Sequence, residues 1–224
     1  MLRKFIFIIV SFSIICCQST VQKDFGTVAK NFVSDYTKLF PDEAPLSIDA
    51  QNLDKWVLLT PSYMDSIVQF EKRYRTVLSD IDIKNIPKVR QEDYQKMQRI
   101  LKNIHAYSID YTHNPQRYNV LYAIKRIIES DYASDEYRLK IALSRVKQVP
   151  VFYENAKQQL HDVDPKSADA AVEQHLQTYL FIAEVLPNYV KSRRLMTPLY
   201  SRDLEAAALA VKDYVAFVES FRLK

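Results

Sequence analysis

Glycine is almost missing from this chain: Gly26 is the single one among 224 residues. Phosphate-cradling loops, dinucleotide fingerprints and tight hairpins all need glycine, for a positive φ or for close approach of the backbone. One glycine therefore excludes P-loop and Rossmann enzymes, most β-rich folds, and the glycine-flanked elbow that exposes a nucleophilic serine. Cysteine is nearly as scarce. Cys16 and Cys17 are the two present, so no disulfide can form within the residues that follow them. The fold must rest on burial, for which a chain of this length suffices. No glutamate follows any of His105, His113, His161 or His175, and no two of them are four apart. The helical His-Glu-x-x-His zinc site, which aims two imidazoles at one ion, is thus missing. A large charge excess is missing too. The formal net charge is +4, and two of those four charges belong to Arg3 and Lys4. Such balance gives no electrostatic steering onto nucleic acid.

What is present begins with Arg3-Lys4 and an apolar run from Phe5 to Ile15. A bilayer span needs about 20 apolar residues, so this shorter run with a basic start reads as an export signal. Ile14-Ile15-Cys16-Cys17 resembles a lipobox, with Cys17 as the acylated residue and Cys16 in the place usually held by Gly, Ala or Ser. The expectation is a signal over 1–17 and a helical domain over 18–224, lipid-anchored in a bacterial cell envelope and facing the periplasm.

Beyond the signal the apolar residues recur at three- and four-residue steps. Phe25, Val28, Phe32, Tyr36 and Leu39 make one stripe, which stops before Pro41. Thr60-Pro61, a hydroxyl cap followed by proline at the first helical position, opens a second stripe of Met64, Ile67, Val68, Tyr74 and Leu78. Between them, Trp56, Val57 and Leu58 are expected to dock a polar stretch on the core. Residues 80–89 read as a loop. Tyr94, Met97, Leu101, Ile104, Ser108 and Tyr111 follow on a long helix. Asn114-Pro115 is expected to launch a helix bearing Tyr118, Leu121, Tyr122, Lys125 and Ile128. Ser134, with Asp135 and Glu136 at the positive end of the helix dipole, starts one carrying Leu139, Leu143, Val146 and Val149 and continuing past a kink at Pro150. Asp164-Pro165 opens the next, with a kink at Pro187, and Ser201 is expected to open the last. These patterns predict a single all-α domain of about seven to nine helices.

Candidate chemistry is sparse. His161-Asp162 with Asp164 can be imagined around a cation, but this segment also supplies a helix cap, and no metal or cofactor is expected. His105 is expected to be a hydrogen-bonded core histidine. Glu71, lying within its helix stripe, needs a placed partner before it could serve as an acid or base. Tyr107, Tyr111, Tyr118 and Tyr122 flank one helix-to-helix turn, where a tyrosine-rich concavity would suit a sugar or peptide; packing at helix interfaces is the competing reading. Arg193 and Arg194, with Arg202, form a basic corner that could hold an anionic group. No complete catalytic constellation is present.

Asn114-Pro115-x-x-Tyr118, Ala142-Leu143-Ser144-Arg145-Val146, Val149-Pro150, Phe152, Ala156, Lys157 and Leu160 together resemble the N-terminal half of the bacterial family called domain of unknown function 885. That resemblance spans Phe32 to Phe221 and rests on helical packing positions. It implies an exported helical protein related to zinc-dependent peptidases. The family's His-Glu-x-x-Pro-Gly-His metal motif has no counterpart in residues 1–224, so no metal ligand is implied here. The expected role is a helical binding or scaffold module with a protein or peptide partner; the alternative is the helical part of a split hydrolase whose metal site lies on another chain.

Overall fold

The computed structural model describes residues 24–47 and 52–222. The signal and Cys17 lie outside the described residues. Among the described residues every regular element is helical.

Local cap chemistry places most helix starts. Helix α1 (Phe25–Leu39) is capped by Asp24, whose carboxylate accepts from the Gly26 and Thr27 amides. Helix α2 (Pro61–Ser79) takes Thr60 as its cap, and the long α5 (Asp135–Gln159) takes Ser134. Helix α6 (Pro165–Leu180) starts on Asp164. Helix α3 (Lys88–Asp110) begins inside the stretch expected to be loop, after a 3-10 turn at Ile83–Asn85.

Two expected faces are corrected. Helix α4 (Leu121–Glu129) buries Ala123, Ile124 and Ile127, not Tyr122, Lys125 and Ile128. Pro115–Tyr118 forms a 3-10 turn, and the extended Asn119 that follows resets the helical phase. On α2, Val68 faces solvent while Phe70 and Glu71 turn inward. The last helix, α8 (Pro198–Glu219), opens on Thr197 rather than Ser201. Thr197-Pro198 repeats the cap-plus-proline signature, and the Ser201 amide already donates to the Thr197 carbonyl at 3.0 Å. Pro187 cannot donate to residue 183. The chain accommodates this by widening into π-helix at Phe181–Val185 before α7 (Leu186–Ser192).

The buried apolar residues fall into two clusters rather than one. Helices α1, α2 and α3 enclose Phe25, Phe32, Ile67, Phe70, Tyr74, Leu78, Met97, Leu101 and Ile104. Helices α4 to α8 enclose a larger core, in which α5 and α6 pack on α8. Tyr63, Tyr107 and Tyr111 pack against both clusters and form the seam. The segment after α1 leaves the first cluster and docks on the second through Trp56, as expected, and through Leu59.

Arg145 holds that segment in place. It sits on the buried face of α5, 1% exposed, and its Nε donates to the Leu53 carbonyl at 2.6 Å. Its Nη1 lies 2.5 Å from Asp42 Oδ1, and its guanidinium stacks 4.7 Å over the Trp56 ring. Trp56 Nε1 in turn donates to the Arg145 carbonyl at 2.9 Å. Gln148 donates to the Asp54 carbonyl, and Arg126 to the Asp42 and Ala44 carbonyls. The buried guanidinium is compensated by one backbone carbonyl, one carboxylate and the indole face, although Nη1 meets Asp42 as an ion pair without hydrogen-bond geometry.

Candidate functional site

A cleft of about 340 Å³ opens at the seam between the two clusters. Its walls come from the end of α1 (Tyr36, Phe40), the docked segment (Asp42, Glu43, Trp56), the start of α2 (Tyr63), α3 (Asn103, Ile104, Tyr107), the 3-10 turn region (Arg117, Asn119) and α5 (Phe152). Its size and aromatic lining match those of small-ligand and peptide pockets.

The charged groups in the wall are already committed. Asp42 pairs with Arg145, and Glu43 accepts from the Tyr36 hydroxyl. Arg117 grips Asp110 with Nε at 3.2 Å and Nη2 at 3.1 Å, its guanidinium 4.9 Å over the Tyr107 ring. The Tyr63 hydroxyl donates to the Leu39 carbonyl at 2.6 Å. Asn119 is used up between Thr178 and the Leu121 amide. Two polar groups remain: the Tyr107 hydroxyl and the exposed Asn103 carboxamide have no hydrogen-bond partner among the described residues. Burial pushes the Tyr107 and Tyr63 hydroxyls well above the usual phenol range, with the Arg117 charge acting in the opposite sense at Tyr107. Both stay protonated at physiological pH. The cleft thus combines aromatic faces, an available donor–acceptor pair and one carboxylate, Glu43, that no cation pairs among the described residues.

Of the four tyrosines at the α3–α4 turn, Tyr107 alone lines the cleft. Tyr111 packs in the seam. Tyr118 is fully buried, its hydroxyl donating to the Tyr111 carbonyl at 3.0 Å. Tyr122 points outward, 68% exposed. The phase reset at Asn119 explains this: a continuous helix would have kept Tyr118 and Tyr122 on one face. At the basic corner Arg193 is already engaged. Arg193 Nε donates to Asp135 at 2.9 Å, and its guanidinium stacks 4.7 Å over Tyr189. Arg194 is exposed, with φ at 58°.

The histidines are redistributed as well. His105 is exposed rather than core, with its Nδ1 3.1 Å from the buried Glu71 carboxylate, which also pairs with Arg75 at 2.5 Å. The core histidine is His175, fully buried and missed from the sequence although it lies three, four and seven residues from Val172, Ala171 and Ala168 on the buried face of α6. Its Nε2 lies 3.2 Å from the Pro115 carbonyl and its Nδ1 3.1 Å from the Tyr153 hydroxyl. A carbonyl only accepts, so the neutral ring carries its proton on Nε2 and takes the tyrosine's hydrogen on Nδ1. Tyr214 donates to the same carbonyl at 3.0 Å. Burial lowers the His175 pKa to about 4.

No family model matches this sequence, and no curated protein matches it. Among solved structures, a candidate lipoprotein of unknown function from Shewanella oneidensis is similar, with a TM-score of 0.73 and 19% identity. The likeness covers 88% of this chain and 37% of that one, so this chain spans little more than a third of that protein's length. At this identity the likeness is one of fold. No helix among the described residues is long and apolar enough to cross a membrane.

Proposed function

We propose that this chain is a lipid-anchored, non-catalytic helical binding module of the bacterial cell envelope, whose seam cleft receives an uncharged peptide segment. The observation that carries the reading is the lining of the cleft. Aromatic walls would hold apolar side chains, and the uncommitted Tyr107 hydroxyl and Asn103 carboxamide match the donors and acceptors of a peptide backbone. Asp42 and Arg117 are paired and Glu43 is held by the Tyr36 hydroxyl, so the wall does not favour an anionic ligand. The anchor reading rests on the lipobox-like Cys16-Cys17, and it is supported by a similar fold in a protein itself considered a lipoprotein.

Trp56, the one tryptophan, lies in the cleft wall and reports on its occupancy. Titrating the full chain in mild detergent with short, N-acetylated, C-amidated apolar peptides should give a saturable change in its emission. Tyr107→Ala with Asn103→Ala should weaken the best of these by about tenfold or more, the size expected for losing well-placed central contacts. A panel that leaves Trp56 unchanged, or binding indifferent to the two substitutions, argues against a peptide site.

The anchor has its own test. Several acyl chains hold a protein firmly where one is marginal, so Cys17→Ala should move the chain from the membrane pellet to the soluble fraction. If the variant still pellets and intact mass shows no lipid on the unaltered protein, the anchor reading fails.

One observation favours a second reading, the helical part of a split hydrolase of the family this sequence resembles: the fold recurs as a minor share of a longer chain. In that reading the cleft is a wall of the substrate channel. A neighbouring reading frame encoding His-Glu-x-x-Pro-Gly-His, whose product co-purifies with this chain, would favour it.

A further inference from the structure

Two turns far apart in sequence meet on the surface. The turn after α3 carries His113; the turn after α5 carries His161 and Asp162. They are fastened by backbone, the His161 amide donating to the Thr112 carbonyl at 2.9 Å. The two imidazole rings stand 4.8 Å apart and nearly perpendicular. One ligand atom from each of His113, His161 and Asp162 lies within 4.8 Å of the others, and all three side chains are exposed. Asp164 has no part in this, because its carboxylate caps α6.

The hydrogen bonds around the rings decide what they offer. His113 Nδ1 lies 3.0 Å from the His161 carbonyl, which can only accept, so that nitrogen carries the proton and Nε2 is left with a bare lone pair. His161 Nδ1 lies 3.1 Å from the Asp162 carboxylate, a spacing at which both can turn a lone pair toward one ion once the ring carries its proton on Nε2. A histidine that donates its other N–H to a carbonyl, as His113 does, is the arrangement found behind metal-binding imidazoles, where it orients the ring and raises its basicity. Asp162 sits at φ 50°, in the left-handed region that Asp and Asn enter more readily than most residues.

We propose that His113, His161 and Asp162 form a surface site for a late first-row divalent metal ion, zinc or copper(II). Two imidazoles and one carboxylate suit these ions and not magnesium or calcium, and by the usual affinity order copper binds more tightly than zinc. Small rotations of exposed side chains bring the ligands to bonding distance, and water completes the coordination. Because α3 belongs to one hydrophobic cluster and α5 to the other, a bound ion clips the two halves together beyond the seam.

The full chain, purified in detergent without a histidine tag and stripped with chelator, is titrated with zinc chloride by calorimetry and melted with and without the ion. We expect one zinc per chain and a melting temperature raised by several degrees at saturation, as binding to the folded state alone requires. His113→Gln with His161→Gln should cost at least about tenfold in affinity and abolish the thermal shift, while His105→Gln, at the Glu71 pair, should change neither. Circular dichroism of each variant guards against unfolding, and Asp162→Asn, which tolerates the positive φ, gives a milder variant expected to weaken binding alone. Absence of stoichiometric zinc in the unaltered chain, or zinc binding retained by the folded double variant, overturns the site.

Discussion

Arg145→Met is expected to destabilise the protein by about 3 kcal/mol and to loosen the segment that carries Trp56. Removing one member of a buried ion pair costs on the order of 3–5 kcal/mol when the partner stays buried and uncompensated. Asp42 is 34% exposed on its side chain, so water can take over part of its solvation, which places the estimate at the low end of that range. The Leu53 carbonyl loses its donor and the Trp56 ring its stacked guanidinium, and neither is restored by a thioether. Urea unfolding followed by circular dichroism measures the loss. Under native conditions Trp56 emission should shift to the red as the indole gains solvent. Arg145→Lys keeps the charge but cannot span Leu53 and Asp42 together, because an ammonium lacks the planar fork; it should recover less than half of the loss. An Arg145→Met protein within about 0.5 kcal/mol of the original, with unshifted emission, would show that the segment is held by its apolar contacts alone.

The second large effect is acid lability through His175. The ordinary pKa of 6.5 falls to about 4 in the folded state because burial penalises the charged ring. The sign follows from proton counting. As pH drops below 6.5 the unfolded chain takes up a proton that the folded chain refuses, so the unfolded state gains. Stability from this residue is complete above about pH 6.5, declines between 6.5 and 4, and levels off below that. At 1.36 kcal/mol per pKa unit the swing is about 3 kcal/mol. Stability measured from pH 7 to pH 4 should therefore fall more steeply in the original protein than in His175→Gln, by about that amount. Gln retains a donor for the Pro115 carbonyl and an acceptor for Tyr153, yet has no proton to gain. Gln fills the ring's space imperfectly and lowers stability at pH 7 as well, so the comparison is between slopes. Equal slopes would mean that His175 opens to solvent before it charges.

The amino-acid sequence alone determined the helical class and most of the helix starts. Cap chemistry is local: Thr60, Ser134 and Asp164 each satisfy backbone amides within three residues, whatever packs around them. The scarcity of glycine argued against whole families of sites because the φ angles and close backbone approaches they require are disfavoured for other residues. Helical phase was less legible. Asn114-Pro115 signals a helix start correctly in kind, yet nothing local distinguishes a 3-10 turn from the first turn of α4, and that choice sent Tyr118 inward and Tyr122 outward. The last start was misplaced: Ser201 read as the cap, whereas the chain opens α8 on Thr197-Pro198.

Tertiary structure decided everything that joins distant residues. Arg145 is a cation in an apolar stripe, and its burial becomes affordable only when Leu53, 92 residues away, turns a carbonyl toward it. His175 shares a helix face with Ala168, Ala171 and Val172, but it can stay buried because the Pro115 carbonyl and the Tyr153 hydroxyl satisfy both ring nitrogens while Tyr214 of α8 packs against it. The pairing of His113 with His161 spans 48 residues and exists only because two turns are bonded backbone to backbone. Helix periodicity fixes which way a side chain faces from its own helix, while the partner it meets depends on how helices pack, and no local pattern encodes that.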